Sequence, residues 1–135
     1  MSLDKALADA VSKIPECLAA GYVDMSTGML LGVKTVDSHP QEILDMVSAA
    51  TADLFQGPTV VAIEEHFKKA RGQDSNDGVH FFQEIIVFSE NLIHVFLRTK
   101  AYPDHVICFV SRKNANIGMV LTKARMAVDP VSAAL

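Results

Sequence analysis

"GYVDMSTGMLL", residues 21–31, carries an apolar run into Asp24, crosses Ser26, Thr27 and Gly28, and turns apolar again at Met29. That pattern predicts two strands joined by a tight turn. Small polar side chains in a turn bond to their own backbone, and glycine accepts the positive φ a hairpin requires. The turn is therefore expected to reverse the chain, with no reacting group in it. The first strand is predicted over Cys17–Asp24, where "CLAAGYV" is almost wholly apolar and implies cover on both faces. The second is predicted over Met29–Val36.

Upstream, residues 2–14 read as a helix. Leu3, Leu7, Ala10 and Ile14 share a face, Ser2 is a candidate cap, and Pro15 discourages continuation. Downstream, Ser38 and Gln41 resemble a capping box, with Pro40 in the first helical turn. Ile43, Val47, Ala50 and Leu54 then form a stripe, flanked by Met46 and Ala49. Gly57-Pro58 interrupts this helix, since an interior proline costs about 3 kcal/mol. "TVVAIEEHFKKAR" is helical again, with Val60, Ile63, Phe67 and Ala70 on one face and Glu64–Lys68 as an i,i+4 pair. Residues 39–71 thus read as one long helix kinked near Gly57, or as two in tandem. The Gly57-Pro58 step is either a bend or a hinge.

"GQDSNDG", residues 72–78, is the one strongly loop-like segment. Val79–Glu90 follows as a strand with apolar residues on both sides: Phe81, Ile85 and Val87 one way, Phe82, Ile86 and Phe88 the other. An edge strand facing water does not carry such a pattern. Strands at Leu92–Lys100 and His105–Ser111 flank the turn "AYPD". A last helix, capped by Asn114 or Asn116, carries Ile117, Val120 or Leu121, Ala124 and Val128, and residues 128–135 read as a loose tail.

The 135 residues suit one domain, 1–135, large enough for a core without a metal or disulfide staple. Twelve basic against 16 acidic residues, net −4, argue against nucleic-acid binding. Cys17 and Cys108 sit in apolar runs and read as buried thiols. The start "MSLDKALADAV" lacks a signal-peptide pattern, and no run of about 18 apolar residues marks a membrane span. The expected compartment is the cytoplasm.

The chemistry is sparse. His39, His66, His80, His94 and His105 show no metal-ligand spacing, although His80 and His94 could meet across a hairpin. Cys108 has no activating neighbour in sequence. Glu84 and Glu90 are too loosely placed for an acid pair, and Arg98 and Arg112 are candidate anion contacts. No catalytic residue, cofactor site or metal site is expected.

Helix, strand, strand, long helix, three strands, helix is the order of the roadblock (dynein light chain) family, a profilin-like α/β sandwich. "AAGYVDMSTGMLL" resembles that family's opening hairpin, "HPQEILDMVSAATADLF" its long helix, and "NIGMVLTKAR" the Asn-x-Gly start of its last helix. The loop at 72–78 and the extension over 58–71 depart from the family pattern. The resemblance implies a five-stranded antiparallel sheet in the order 2-1-5-4-3. Two helices would lie on one face and the long kinked one on the other. It also implies homodimers that pair third strands edge to edge with long helices antiparallel, and work as a regulator or scaffold of small GTPases. Met46, Ala49, Ala50, Phe55, Phe82, Ile86 and Phe88 are the expected interface. The alternatives are a small-molecule-sensing domain and, last, an enzyme built on Cys108 or on His80 and His94.

Overall fold

The computed structural model describes residues 2–36, 41–72 and 80–135, with residues 41–45 as backbone alone. The chain opens with α1 (Leu3–Lys13), β1 (Cys17–Asp24) and β2 (Met29–Thr35). Next come α2 (Gln41–Gln56), α3 (Pro58–Ala70) and β3 (Glu84–Phe88). It closes with β4 (Leu92–Arg98), β5 (His105–Arg112) and α4 (Ile117–Ala133). The five strands form one antiparallel sheet in the order β2-β1-β5-β4-β3.

α1 begins where Ser2 Oγ accepts the Lys5 N–H at 3.3 Å. Asp4 in its first turn and Lys13 in its last both suit the helix dipole. Its inner residues Ala6, Leu7 and Ala10 meet Val120, Ala124 and Val131 of α4 over one face of the sheet. Tyr22, Ile93, Val95, Leu97, Ile107 and Phe109 supply that face. Fully burying one such large side chain is worth about 1.5–3 kcal/mol. The opposite face carries a smaller cluster of Val23, Met25, Phe55, Phe96, Val106 and Cys108, covered by α2.

The opening hairpin forms as expected. Asp24 accepts the Ser26 N–H at 3.0 Å and the Ser26 hydroxyl at 2.6 Å, and Gly28 takes φ 74°. The Ser26 hydroxyl, first among several local contacts, holds the Asp24 carboxyl below its ordinary value. These groups are consumed by the turn, so it serves chain reversal.

Gly32 of β2 lies directly beneath α1. A Cβ there would stand 2.8 Å from Leu3 Cδ2 and 3.1 Å from Leu7 Cδ1. Gly32→Ala is therefore expected to push α1 outward and cost about 1–3 kcal/mol, read as a lower urea midpoint.

Two expectations need correction, and one alternative is decided. The third strand spans only Glu84–Phe88, because Phe81 and Phe82 are bonded by side chains rather than by β4 (below). Between α2 and α3 the Gly57 backbone is extended (φ −65°, ψ 168°), with Pro58 at the first helical position, which selects two helices in tandem over one kinked helix. The tail from 128 is not loose, since α4 continues to Ala133. Pro130 removes one helical bond, but Val131, 1% exposed, anchors the last turns in the core. The capping box at Ser38, with Pro40 and His39, and the loop at 73–78 lie outside the described residues.

The α2 stripe also faces unexpectedly. Ser48, Thr51 and Phe55 point inward, whereas Met46, Val47, Ala50 and Leu54 are exposed. α3 repeats this inversion: Glu64 and Lys68 are its buried residues, while Ile63 and Phe67 are exposed. By length and composition Met46–Ala70 passes the test for a membrane span, and 17% of its most apolar window is buried. The segment breaks at Gly57, packs Phe55 into the core and turns Glu64 and Lys68 inward, and its apolar stripe is left uncovered.

Candidate interaction surface

β3 ends the sheet. Arg98 N–H donates to the Gln83 carbonyl at 2.8 Å, and Ser89 N–H donates to the Leu92 carbonyl at 2.9 Å. Odd-numbered residues of this segment thus turn their backbone polar groups toward β4. Period two then aims the N–H and C=O groups of Glu84, Ile86 and Phe88 away from the sheet. Exposed edges commonly carry lysine or proline, which discourage pairing. This one reads Glu-Ile-Ile-Val-Phe. Its single charge, Glu84, is held by Arg125 of α4 at 2.8 and 3.0 Å. That contact keeps the Glu84 carboxyl below its ordinary value.

Side-chain faces follow from register. Ile85 lies opposite Phe96 and Val87 opposite His94, which places both on the α2 side. Ile86 lies opposite Val95, on the α1 and α4 side. Ile86 is 38% and Phe88 57% exposed, and Phe82 is exposed outside the strand.

The approach to β3 is secured by two buried charges. Glu64 of α3 accepts the Phe81 N–H at 2.6 Å and contacts His80 Nδ1 at 2.9 Å. Arg98 Nε donates to the Phe82 carbonyl at 2.9 Å, and its Nη1 reaches the Pro103 carbonyl and Gln56. Its guanidinium also covers the Phe55 ring at 5.3 Å. Backbone groups that would extend the strand are thus taken by side chains, and the free edge is confined to five residues. Glu64→Ala would orphan the Phe81 amide. We expect a loss of about 1–3 kcal/mol by urea denaturation, with faster hydrogen exchange at residues 80–83.

The remaining candidates are dispersed. His80 engages Glu64, and His94 Nε2 contacts Ser89 Oγ at 3.0 Å, so the two histidines do not form a pair. Among the described residues, no group of three or more His, Cys, Asp or Glu side chains could hold a metal. Burial raises the Cys108 thiol to about 12 and raises Cys17 as well, which keeps both protonated and poorly nucleophilic. Arg98 is structural, and Arg112 stands 3.6 Å from Glu16.

Of the seven expected interface residues, Met46 (70% exposed), Ala49 and Ala50 lie on the open face of α2. Phe55 must be removed from the set. It is 0% exposed and packs edge-on against Phe96, because the helix phase that turns Ser48 and Thr51 inward carries Phe55 with them. Ile86 and Phe88 lie on the other side of the sheet from α2, so the set does not form a single patch. Sequence reasoning missed Val87, which shares the α2 side and is exposed, along with the outward Ile63 and Phe67. The cue was present in Val87's alternation with Ile86, but the face could be chosen only once the register with β4 was known.

A 2-1-5-4-3 antiparallel sheet, with α1 and α4 on one face and α2 on the other, is the fold of roadblock/LC7 domains. The chain superimposes on a roadblock/LC7 domain from Streptomyces avermitilis at TM-score 0.66 and 14% identity, covering 98% of this chain and 97% of that one. It matches the gliding protein MglB of Thermus thermophilus at TM-score 0.67 and 16% identity, over 96% and 85% of the two chains. It also matches an MglB solved in a tetrameric arrangement, at TM-score 0.65 and 17% identity, over 97% and 88%. No family model matches the sequence, and neither does any curated protein.

Proposed function

We propose that the chain is a non-catalytic, cytoplasmic homodimeric interaction module that regulates or scaffolds a small GTPase. The observation that carries the dimer is the β3 edge, where outward backbone groups are flanked by exposed Ile86, Val87 and Phe88 and no lysine or proline guards them. A second copy related by a two-fold axis can present the same strand antiparallel and satisfy those groups. Met46, Ala49 and Ala50 lie on the same side of the sheet as Val87, where the partner's α2 would meet them. The multimeric arrangement of one MglB supports this reading by fold. The GTPase partner follows from the roadblock resemblance. Two free buried cysteines fit a reducing compartment.

Light scattering at micromolar concentration tests the assembly. A particle of twice 14.6 kDa is expected, and a monomer would remove the support for the interface. For the partner, the purified protein is offered to cell extract loaded with a GTP analogue or with GDP. Retention of a small GTPase that depends on nucleotide is expected, and no retained GTPase in either state would reject that part.

A further inference from the structure

Among the described residues, α2 leaves part of the sheet open. Over the middle of β1 the sheet presents the small residues Ala19 and Gly21, and the described part of α2 turns Ser48 and Thr51 inward. Small residues meet small residues, and a cavity of about 380 Å³ remains. Val33, Cys108 and Val110 form its apolar floor, Thr51 its roof, the half-exposed Val47 its outer rim, and His94 one side. The volume falls at the small end of ligand pockets, about 300–1,000 Å³.

The space opens to solvent on one side, so a ligand there would displace water from a mostly apolar surface. Thr51 Oγ1 already donates to the Val47 carbonyl at 2.8 Å. The lining is otherwise largely apolar, with Thr35 and His94 as its other polar side chains. Ser89 Oγ reaches the Leu92 carbonyl at 3.3 Å and His94 Nε2 at 3.0 Å, an arrangement served by a hydroxyl that donates to the carbonyl and accepts from Nε2–H. In that tautomer the ring's Nδ1 holds a lone pair for an incoming donor. Burial lowers the His94 pKa, so the ring stays neutral near pH 7 and offers no charge to an anion.

From this geometry we infer that the cavity between α2 and the β2-β1-β5 face binds an uncharged apolar small molecule with one hydroxyl or N–H donor, received by His94. The inference concerns the inner side of α2 and stands whether or not the outer side forms a dimer.

N-phenyl-1-naphthylamine, an uncharged aromatic probe with one N–H whose fluorescence rises in apolar surroundings, tests it. Titration of the full chain is expected to show one saturable site per subunit. Ala19→Phe places a ring in the cavity from the floor and is expected to weaken binding at least about tenfold. Val33→Phe fills it from the outer strand and guards against a misfolded first variant; circular dichroism and thermal melting confirm folding in each. His94→Leu is expected to weaken the probe about fivefold, the worth of one hydrogen bond, while 1-phenylnaphthalene, which lacks the N–H, binds as before. Absence of saturable binding, or binding unchanged in both filled variants, overturns the site. Equal weakening of the two probes by His94→Leu overturns the role of the histidine.

Discussion

Phe55→Ala should lower the unfolding free energy by about 3–5 kcal/mol, the largest single-residue effect we expect in the subunit. The ring is 0% exposed, meets Phe96 at 6.3 Å between centroids, and supports the Arg98 guanidinium from its face. Truncation leaves a void beside a buried cation whose Nη2 already lacks a partner among the described residues. The cost thus combines lost apolar burial with an exposed weakness in the polar clip that holds Phe82 and Pro103. Urea denaturation at several protein concentrations separates this from an interface effect. A core residue lowers the stability of the subunit itself, so the loss should persist where any dimer is dissociated. If Phe55→Ala changed only the association constant, its assignment to the core would be wrong.

Ile86→Pro should abolish self-association while the subunit stays folded. The Ile86 N–H points away from β4, so proline there removes no bond of the intramolecular ladder. Proline is tolerated on edge strands for that reason. Across a two-fold edge, however, it deletes one donor in each copy and places a ring against the partner's backbone. We expect the dimer dissociation constant to rise by at least about 100-fold, equal to roughly 2.7 kcal/mol. Sedimentation velocity reads the mass, and circular dichroism reads the fold. Val87→Pro is the comparison: its N–H faces β4, so that variant should lose subunit stability as well. Equal dimerisation of Ile86→Pro and the parent chain would show that the β3 edge is not the seam.

Much of the fold was legible because its signals are local. Cys17–Asp24 was readable to the residue, since an apolar run bounded by Pro15-Glu16 and a polar turn admits few other forms. The start of α4 resolved to Asn116 over Asn114 through one contact, Asn116 Oδ1 to the Met119 N–H at 3.1 Å. Misreadings fell where tertiary contacts outweigh local preference. Residues 80–83 have strand composition, but Glu64 and Arg98 capture their backbone groups from 16 or more residues away in sequence. Val131 holds a helix through Pro130 by burial against α1.

The candidate surface was only partly legible for the same reason. Periodicity shows which side chains share a face of a helix or strand, but not which face turns inward. In α2 the more apolar stripe is the exposed one, and Ser48 and Thr51 are buried in its place.

By itself, the amino-acid sequence determined the order of elements, the hairpin turn, the Ser2 cap and the presence of an over-apolar strand before residue 90. These depend on backbone preferences and on neighbours within a few residues. Tertiary structure alone decided that Phe55 is core, that Ile86 and Val87 lie on opposite sides of the edge, and that α2 roofs a cavity. Each of those outcomes depends on strand register and on side chains brought together from distant segments, whose competition for buried space is not written in any local pattern.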